Sequence, residues 1–300
     1  MNVVSAWLFY ALLAPLLFAF VNVFDKFLRE KHLGTFSLSV FVGLGGFWVL
    51  AMMPFVELDF SPVIVIGGLI AGLMFFLNAF PYFQALAIEE ASRVIPLWAF
   101  EAPMVLILAF VFLKERLAIN DYVGFILVVV GAFLVLTKKL SDVLKPGRAF
   151  FLMLLASSLT SVGIVLSKWL YSETSYWTVQ FLMGLGPGSA ALLALVVLSG
   201  KRKMFVTELK RLRKATVLQL GLRQLTITAG FLVFGLALTT GSASLSAALI
   251  QLAALFVFII ATVLSHWWPS VLKEAIDKKA LLTKAVAIAM VIAGVFAINL

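Results

Sequence analysis

The sequence predicts an all-α membrane protein of ten transmembrane helices, arranged as two inverted five-helix repeats. Three observations lead there. Of 300 residues, 63% are hydrophobic and 12% are charged, whereas a soluble domain carries about 25% charged residues, so a single water-soluble core cannot absorb this composition. The apolar residues gather into ten runs, close to the roughly 20 residues a helix needs to cross a hydrocarbon core. The order of small motifs in residues 1–140 also recurs in residues 149–300.

The first run, 5–25, has no Lys or Arg ahead of it and no small-residue cleavage site, so it reads as a retained helix rather than a signal peptide. One face carries Pro15, Ala19, Asn22 and Lys26, with Asp25 placed to neutralise Lys26. The second, 36–55, holds Gly43 and Gly46, which suit close helix packing. The third, 63–88, aligns Asn78, Tyr82, Ala85 and Glu89 on one face and has a kink point at Pro81. The fourth, 93–113, contains Trp98, Glu101 and Pro103. A charge at that depth costs about 2.5–3.5 kcal/mol on insertion scales and therefore faces a cavity or a partner. Glu101 is the leading candidate for carrying a proton or contacting a substrate cation; the bland alternative is a structural carboxylate paired with Arg223, Arg93 or a Gln. The fifth run, 122–137, has Gly124 and Gly131 on one face.

The sixth run, 149–169, sets Ser157, Ser161, Ile164 and Lys168 on one face, the counterpart of the first run's stripe. In an inverted fold Lys26 and Lys168 fall near opposite mouths of a cavity; their plainer reading is two interfacial lysines. The seventh, 176–199, holds Pro187 among Gly184, Gly186 and Gly188. The eighth, 215–239, lines up Gln219, Arg223, Thr226 and Gly230, a face expected to turn from lipid. Arg223 offers a two-pronged fork for a carboxylate or phosphate, with snorkelling as the alternative. The ninth, 243–265, carries Ser244 and Gln251 and leads into His266-Trp267-Trp268, which looks like an interfacial belt. The tenth, 280–299, is apolar apart from Lys284.

Connections such as Glu57–Pro62 and Thr239–Ser242 are too short for an extramembrane domain. Loops after the odd-numbered runs hold 18 Lys and Arg, with seven of them between Lys201 and Lys214, while the opposite loops hold only Lys114, Arg116 and Lys168. Cytoplasmic loops collect Lys and Arg, so both termini are expected on the non-cytoplasmic side of a cell membrane. The Lys201–Lys214 loop places Phe205, Leu209 and Leu212 on one helical face and reads first as a topology anchor. The net charge of +9 therefore reports orientation, and no basic soluble module for nucleic acid exists.

The repeat is specific in its order. Leu12-Leu13-Ala14 and Lys26-Phe27-Leu28 match Leu154-Leu155-Ala156 and Lys168-Trp169-Leu170; Gly43-Leu44-Gly45 matches Gly184-Leu185-Gly186; Ala85-Leu86 and Ala91-Ser92 match Ala237-Leu238 and Ala243-Ser244. Five is odd, so the second half enters from the opposite side, as in many secondary transporters. In the first half, Ala85-Leu86, Glu89-Glu90-Ala91-Ser92, then Phe112-Leu113-Lys114-Glu115-Arg116-Leu117 and Gly124…Gly131 resemble the EamA-type repeat of the drug/metabolite transporter superfamily. The second half has Trp267-Trp268 where the Glu-Arg pair would stand. The resemblance implies a ten-helix transporter with a central cavity lined mainly by helices 1, 3, 4, 6, 8 and 9. It also implies cytoplasmic termini, against the loop count, which is retained here.

An enzyme is not expected: there is no Cys and no His-Glu-x-x-His, and the two histidines lie at helix ends. No cofactor or metal is implied. The expected function is secondary active transport of a small polar metabolite by alternating access, with protons as candidate coupling ions. The expected substrate or proton pathway comprises Glu101, Arg223, Asn22, Lys26, Asn78, Tyr82, Trp98, Lys168, Gln219 and Gln251. A lipid or lipid-linked phosphate translocase, using Lys26, Lys168 and Arg223, is the alternative. Membrane lipids are the only other partner expected, and the chain is expected to act as a monomer.

Overall fold

The computed structural model describes residues 3–31, 33–89, 91–136, 146–267 and 278–298. The loop residues Lys138, Lys139, Lys145, Trp268 and Lys273 lie outside them, as do the side chains of Lys26, His266, Trp267 and Lys284. Every element among the described residues is helical. In chain order they are α1 (Val3–Lys31), α2 (Thr35–Leu44, continued as 3-10 turns over Gly45–Ala51 and Met53–Phe55) and α3 (Pro62–Leu77 and Ala79–Ile88). Next come α4 (Ala91–Val94, Ile95–Phe100, Glu101–Leu108 and Ala109–Leu113), α5 (Ile119–Leu136), α6 (Arg148–Glu173) and α7 (Tyr176–Val197). A short basic helix, Ser199–Lys210, precedes α8 (Lys214–Thr240), α9 (Ala243–Ile250 and Ala253–Trp267) and α10 (Lys278–Ala297).

Eight of these helical stretches are long and apolar enough to cross a membrane, from Ala6–Asp25 to Ala243–Ile260. Two shorter apolar stretches, Ile119–Val135 and Val286–Ala297, overlap the fifth and tenth runs. The outer surface is apolar: Phe112, Leu225 and Phe296 are 70%, 70% and 69% exposed. Water would penalise such a surface, whereas lipid is a matching solvent. Inside, the buried polar set includes Asp25, Glu101, Thr160, Arg223 and Gln251.

Where burial in hydrocarbon gives no drive, helices associate by close packing through small residues. A Cβ on Gly46 would run into the Gly184 carbonyl, and one on Gly72 into the Met183 carbonyl, so α7 lies tightly against α2 and α3. Gly124 and Gly294 each approach the other's backbone, joining α5 to α10. The glycines read as packing residues do that work. Around the centre, α1 runs along α8 and touches α9, while α6 runs along α3 and touches α4. The match is not complete: α3 packs along α7, whereas the α2–α8 contact is slighter, with the Gln224 side chain set against Gly45.

Prolines set the irregularities that face the interior. Pro81 lacks an N–H and crowds the carbonyl four residues back, and α3 breaks at Asn78. Pro96 stands in the first turn of the 3-10 stretch Ile95–Phe100 and Pro103 in the first turn of the α-helical segment that follows, which starts at Glu101. α9 loosens at the corresponding level without proline: Gln251, Leu252 and Ala254 donate to carbonyls three residues back, at 3.1, 3.0 and 3.0 Å.

Candidate functional site: a cavity between the two halves

One cavity of about 180 Å³ opens between α1, α3, α4, α6, α8 and α9. Its polar lining is Asn22, Asp25, Asn78, Tyr82, Glu101, Thr160, Arg223 and Gln251, and its aromatic lining is Phe18, Phe75, Trp98, Phe231 and Phe234. Seven of the ten residues expected on the pathway therefore meet here: Asn22, Asn78, Tyr82, Trp98, Glu101, Arg223 and Gln251.

Asp25 and Arg223 form a two-pronged ion pair across the α1–α8 contact, with Arg223 Nε on Oδ1 at 2.8 Å and Nη2 on Oδ2 at 3.2 Å. Both are 4% exposed. Asp25, placed by sequence beside Lys26, thus has Arg223 as a partner, while the side chain of Lys26 lies outside the described residues. Arg223 Nη1 is buried and donates to no acceptor. Arg93, another proposed partner for Glu101, pairs instead with Glu89 at 2.8 Å, one helical turn away. Glu101 is 5% exposed and takes part in no ion pair among the described residues. Its backbone carbonyl accepts from Ser161 Oγ at 3.1 Å, so α6 steadies the turn that carries it.

Asn78 Nδ2 donates to Thr160 Oγ1 at 2.8 Å, joining α3 to α6 at the cavity wall. Thr160 was missed by the α6 stripe, which passes through Ser157 and Ser161 on either side of it. Trp98 and Tyr82 lie with ring centroids 5.3 Å apart, while Phe75 and Phe18 meet Phe231 edge-on at 5.2 and 5.4 Å. Gln251 Nε2 reaches the Ala247 carbonyl at 3.4 Å.

Three expected residues stand elsewhere or outside the description. Gln219 is exposed, because the buried face of α8 follows Thr216, Leu220, Arg223, Gly230 and Phe234. Lys168 caps the carboxyl end of α8, donating to the carbonyls of Leu238 at 2.7 Å and Gly241 at 2.8 Å. Beside it, the Glu115 carboxylate accepts from the amides of Ala243 at 2.9 Å and Ser244 at 3.0 Å, capping α9. The side chain of Lys26 lies outside the described residues.

Residues 5–137, which supply Asn22, Asp25, Asn78, Tyr82, Trp98 and Glu101 to this cavity, match the EamA-like transporter family. This half of the chain is EamA-like. The match covers the stretch around Glu115 and Arg116, and in this structure that glutamate ties the end of α4 to the start of α9. No curated protein sequence matches the chain. A solved crystal structure, 15% identical, superimposes over 98% of this chain and 95% of its own with a TM-score of 0.70, a likeness that shows a shared fold alone. Residues 5–137 are thus similar to a transporter family, and the chain's long apolar helices are those of a multi-pass membrane protein.

Proposed function

We propose that this EamA-like protein is a secondary active transporter that moves a small polar solute by alternating access, with Glu101 as the proton-coupling group. The halves 1–140 and 149–300 act as inverted repeats about the cavity, and the partner-matched packing of α1 with α8 and of α6 with α3 supports that arrangement.

The observation that carries the reading is the charge inventory of the cavity. Asp25 and Arg223 cancel, which leaves Glu101 as the uncompensated charge among the described residues of the cavity lining. A buried carboxylate without a partner binds either a proton or a cationic group. One carboxyl that must hold one or the other, and is open to one side of the membrane at a time, exchanges them. Around it the rings of Trp98, Tyr82 and Phe231 suit an ammonium group, and Arg223 Nη1 offers a donor to a neutral oxygen on the same solute. An engineered cavity of about 150 Å³ holds benzene, so about 180 Å³ suits a solute of similar bulk.

A phosphate translocase is not favoured. Of the cations it would use, Lys168 is engaged with two carbonyls away from the cavity and Arg223 is already neutralised. In liposomes, Glu101→Gln is expected to abolish amine uptake driven by a pH gradient while counterflow exchange survives. Unchanged gradient-driven uptake would reject proton coupling through Glu101.

A further inference from the structure

A second cavity, of about 80 Å³, lies beside the first, between α2, α3, α7 and α8, at the level where Gln224 of α8 meets Gly45 of α2. Phe75, Ile227 and Phe231 line both spaces, so the edge-on Phe75–Phe231 contact, 5.2 Å between centroids, forms the wall between them. α8 therefore presents two stripes, Arg223, Ile227 and Phe231 to the main cavity and Gln224, Ile227, Thr228 and Phe231 to the second. The rest of the smaller space is chiefly apolar, with Val42, Trp48, Phe76, Met183 and Pro187 on it. Its polar feature is unusual in one respect: Gln224 Oε1 is buried and accepts no hydrogen bond among the described residues. An unmet buried acceptor is costly, and a ligand that supplies the donor recovers that cost. Gln180, also on this wall, is spent: its Nε2 donates to the Tyr171 and Tyr176 hydroxyls, each at 3.1 Å.

We infer that the second cavity is a specificity subsite, which takes an apolar tail ending in one hydrogen-bond donor while the solute's cationic head occupies the main cavity. This rests on the proposed cation reading of that cavity. Gln224 Oε1 receives the donor, and Phe231 with Phe75 is the wall that the tail passes. Solutes without a tail fit the main cavity alone; solutes with a tail but no donor leave Gln224 unmet.

Three amines separate these cases: propylamine has no tail to reach the subsite, hexylamine a slim apolar tail without a donor, and 6-aminohexan-1-ol the same tail ending in an O–H. A slim alkyl chain suits about 80 Å³, a space smaller than the about 150 Å³ that holds a benzene ring. Binding to the purified protein is read by calorimetry. 6-Aminohexan-1-ol should bind about fivefold tighter than hexylamine, the size expected of one net hydrogen bond, and Gln224→Leu should bring that ratio to about one. The chain has no cysteine, so Thr228→Cys supplies a single thiol in the subsite; 6-aminohexan-1-ol should slow its modification by a methanethiosulfonate ethylammonium reagent, and propylamine should not. Equal affinities for 6-aminohexan-1-ol and hexylamine in the unmodified protein, a ratio that survives Gln224→Leu, or equal protection by propylamine each overturn the subsite. If none of the three amines binds, the cation reading fails and the subsite with it. If propylamine binds and 6-aminohexan-1-ol gains nothing, the subsite alone fails.

Discussion

Arg223 carries three guanidinium nitrogens, and Asp25 takes two of them. In the membrane interior this pairing is what allows either charge to stay, because a buried ion stripped of its partner keeps the full desolvation cost. Asp25→Asn is therefore expected to destabilise the fold by about 3–5 kcal/mol, read as a fall in thermal midpoint in detergent, whereas replacing both partners by apolar residues, Asp25→Leu with Arg223→Met, recovers most of it. A single variant that melts like the parent would mean the pair holds nothing. Glu101 differs in having no such partner among the described residues, so a proton or a cationic solute can take that place. At the opposite end of α1, Trp7 Nε1 donates to Ser246 Oγ at 3.1 Å, a purely structural bond between α1 and α9.

Among the elements, the α8–α9 turn is the most heavily fastened. A helix start exposes four amides without partners. At α9 two go to Glu115 and one, Leu245, to the Ser242 hydroxyl at 3.1 Å. Lys168 meanwhile closes two carbonyls near the end of α8. Glu115→Ala removes a charged cap shared by two amides and is expected to cost about 0.5–2 kcal/mol, measured by thermal unfolding; no loss would show that Ser242 suffices. Helix crossings offer a second test. Gly46→Val drives a branched side chain into the Gly184 carbonyl and should cost about 1–3 kcal/mol or more as overpacking. Gly221→Ala meets nothing within 4 Å and should be neutral or slightly stabilising through helix propensity. Equal effects of the two would contradict the close α2–α7 contact. The short basic helix docks by its apolar side: Phe205 is buried, and Glu208 accepts the Gly34 amide at 3.1 Å, tying it to the start of α2.

For the whole molecule, the cavity and the fastened turn lie at different depths along α1, the first at Phe18–Asp25 and the second near Trp7. In the proposed orientation the fastened end faces away from the cytoplasm, with the basic loops on the other side. A reporter fused after Leu300 and active only outside the cytoplasm should therefore give signal; one active only inside should stay silent, and the reverse result would turn the molecule over. The helix limits agree with the apolar runs to within a few residues because hydropathy and length act locally. The proposed two-half organisation rests on the shared motifs, whereas the slighter contact of α8 with α2 had no signal in them, since motif order does not set how closely two helices cross.

The sequence by itself determined that this is a helical membrane protein, where its helices lie, and which few polar residues must be accommodated among them. Each of these follows from composition and from the angle a residue makes about its own helix axis. Tertiary structure decided the partners. Asp25 and Arg223 are 198 residues apart, and nothing in either helix's period states that α1 and α8 cross at the depth that joins them. Lys168 shares its face with cavity-lining Ile164, yet it lies a turn beyond, where the α8 carbonyls claim it. Gln219 and Leu220 flank the same line through Arg223, and the packing of α8 buries only Leu220. Periodicity gives a residue its direction around one helix; the axial offset and crossing of the neighbouring helix decide what it meets there.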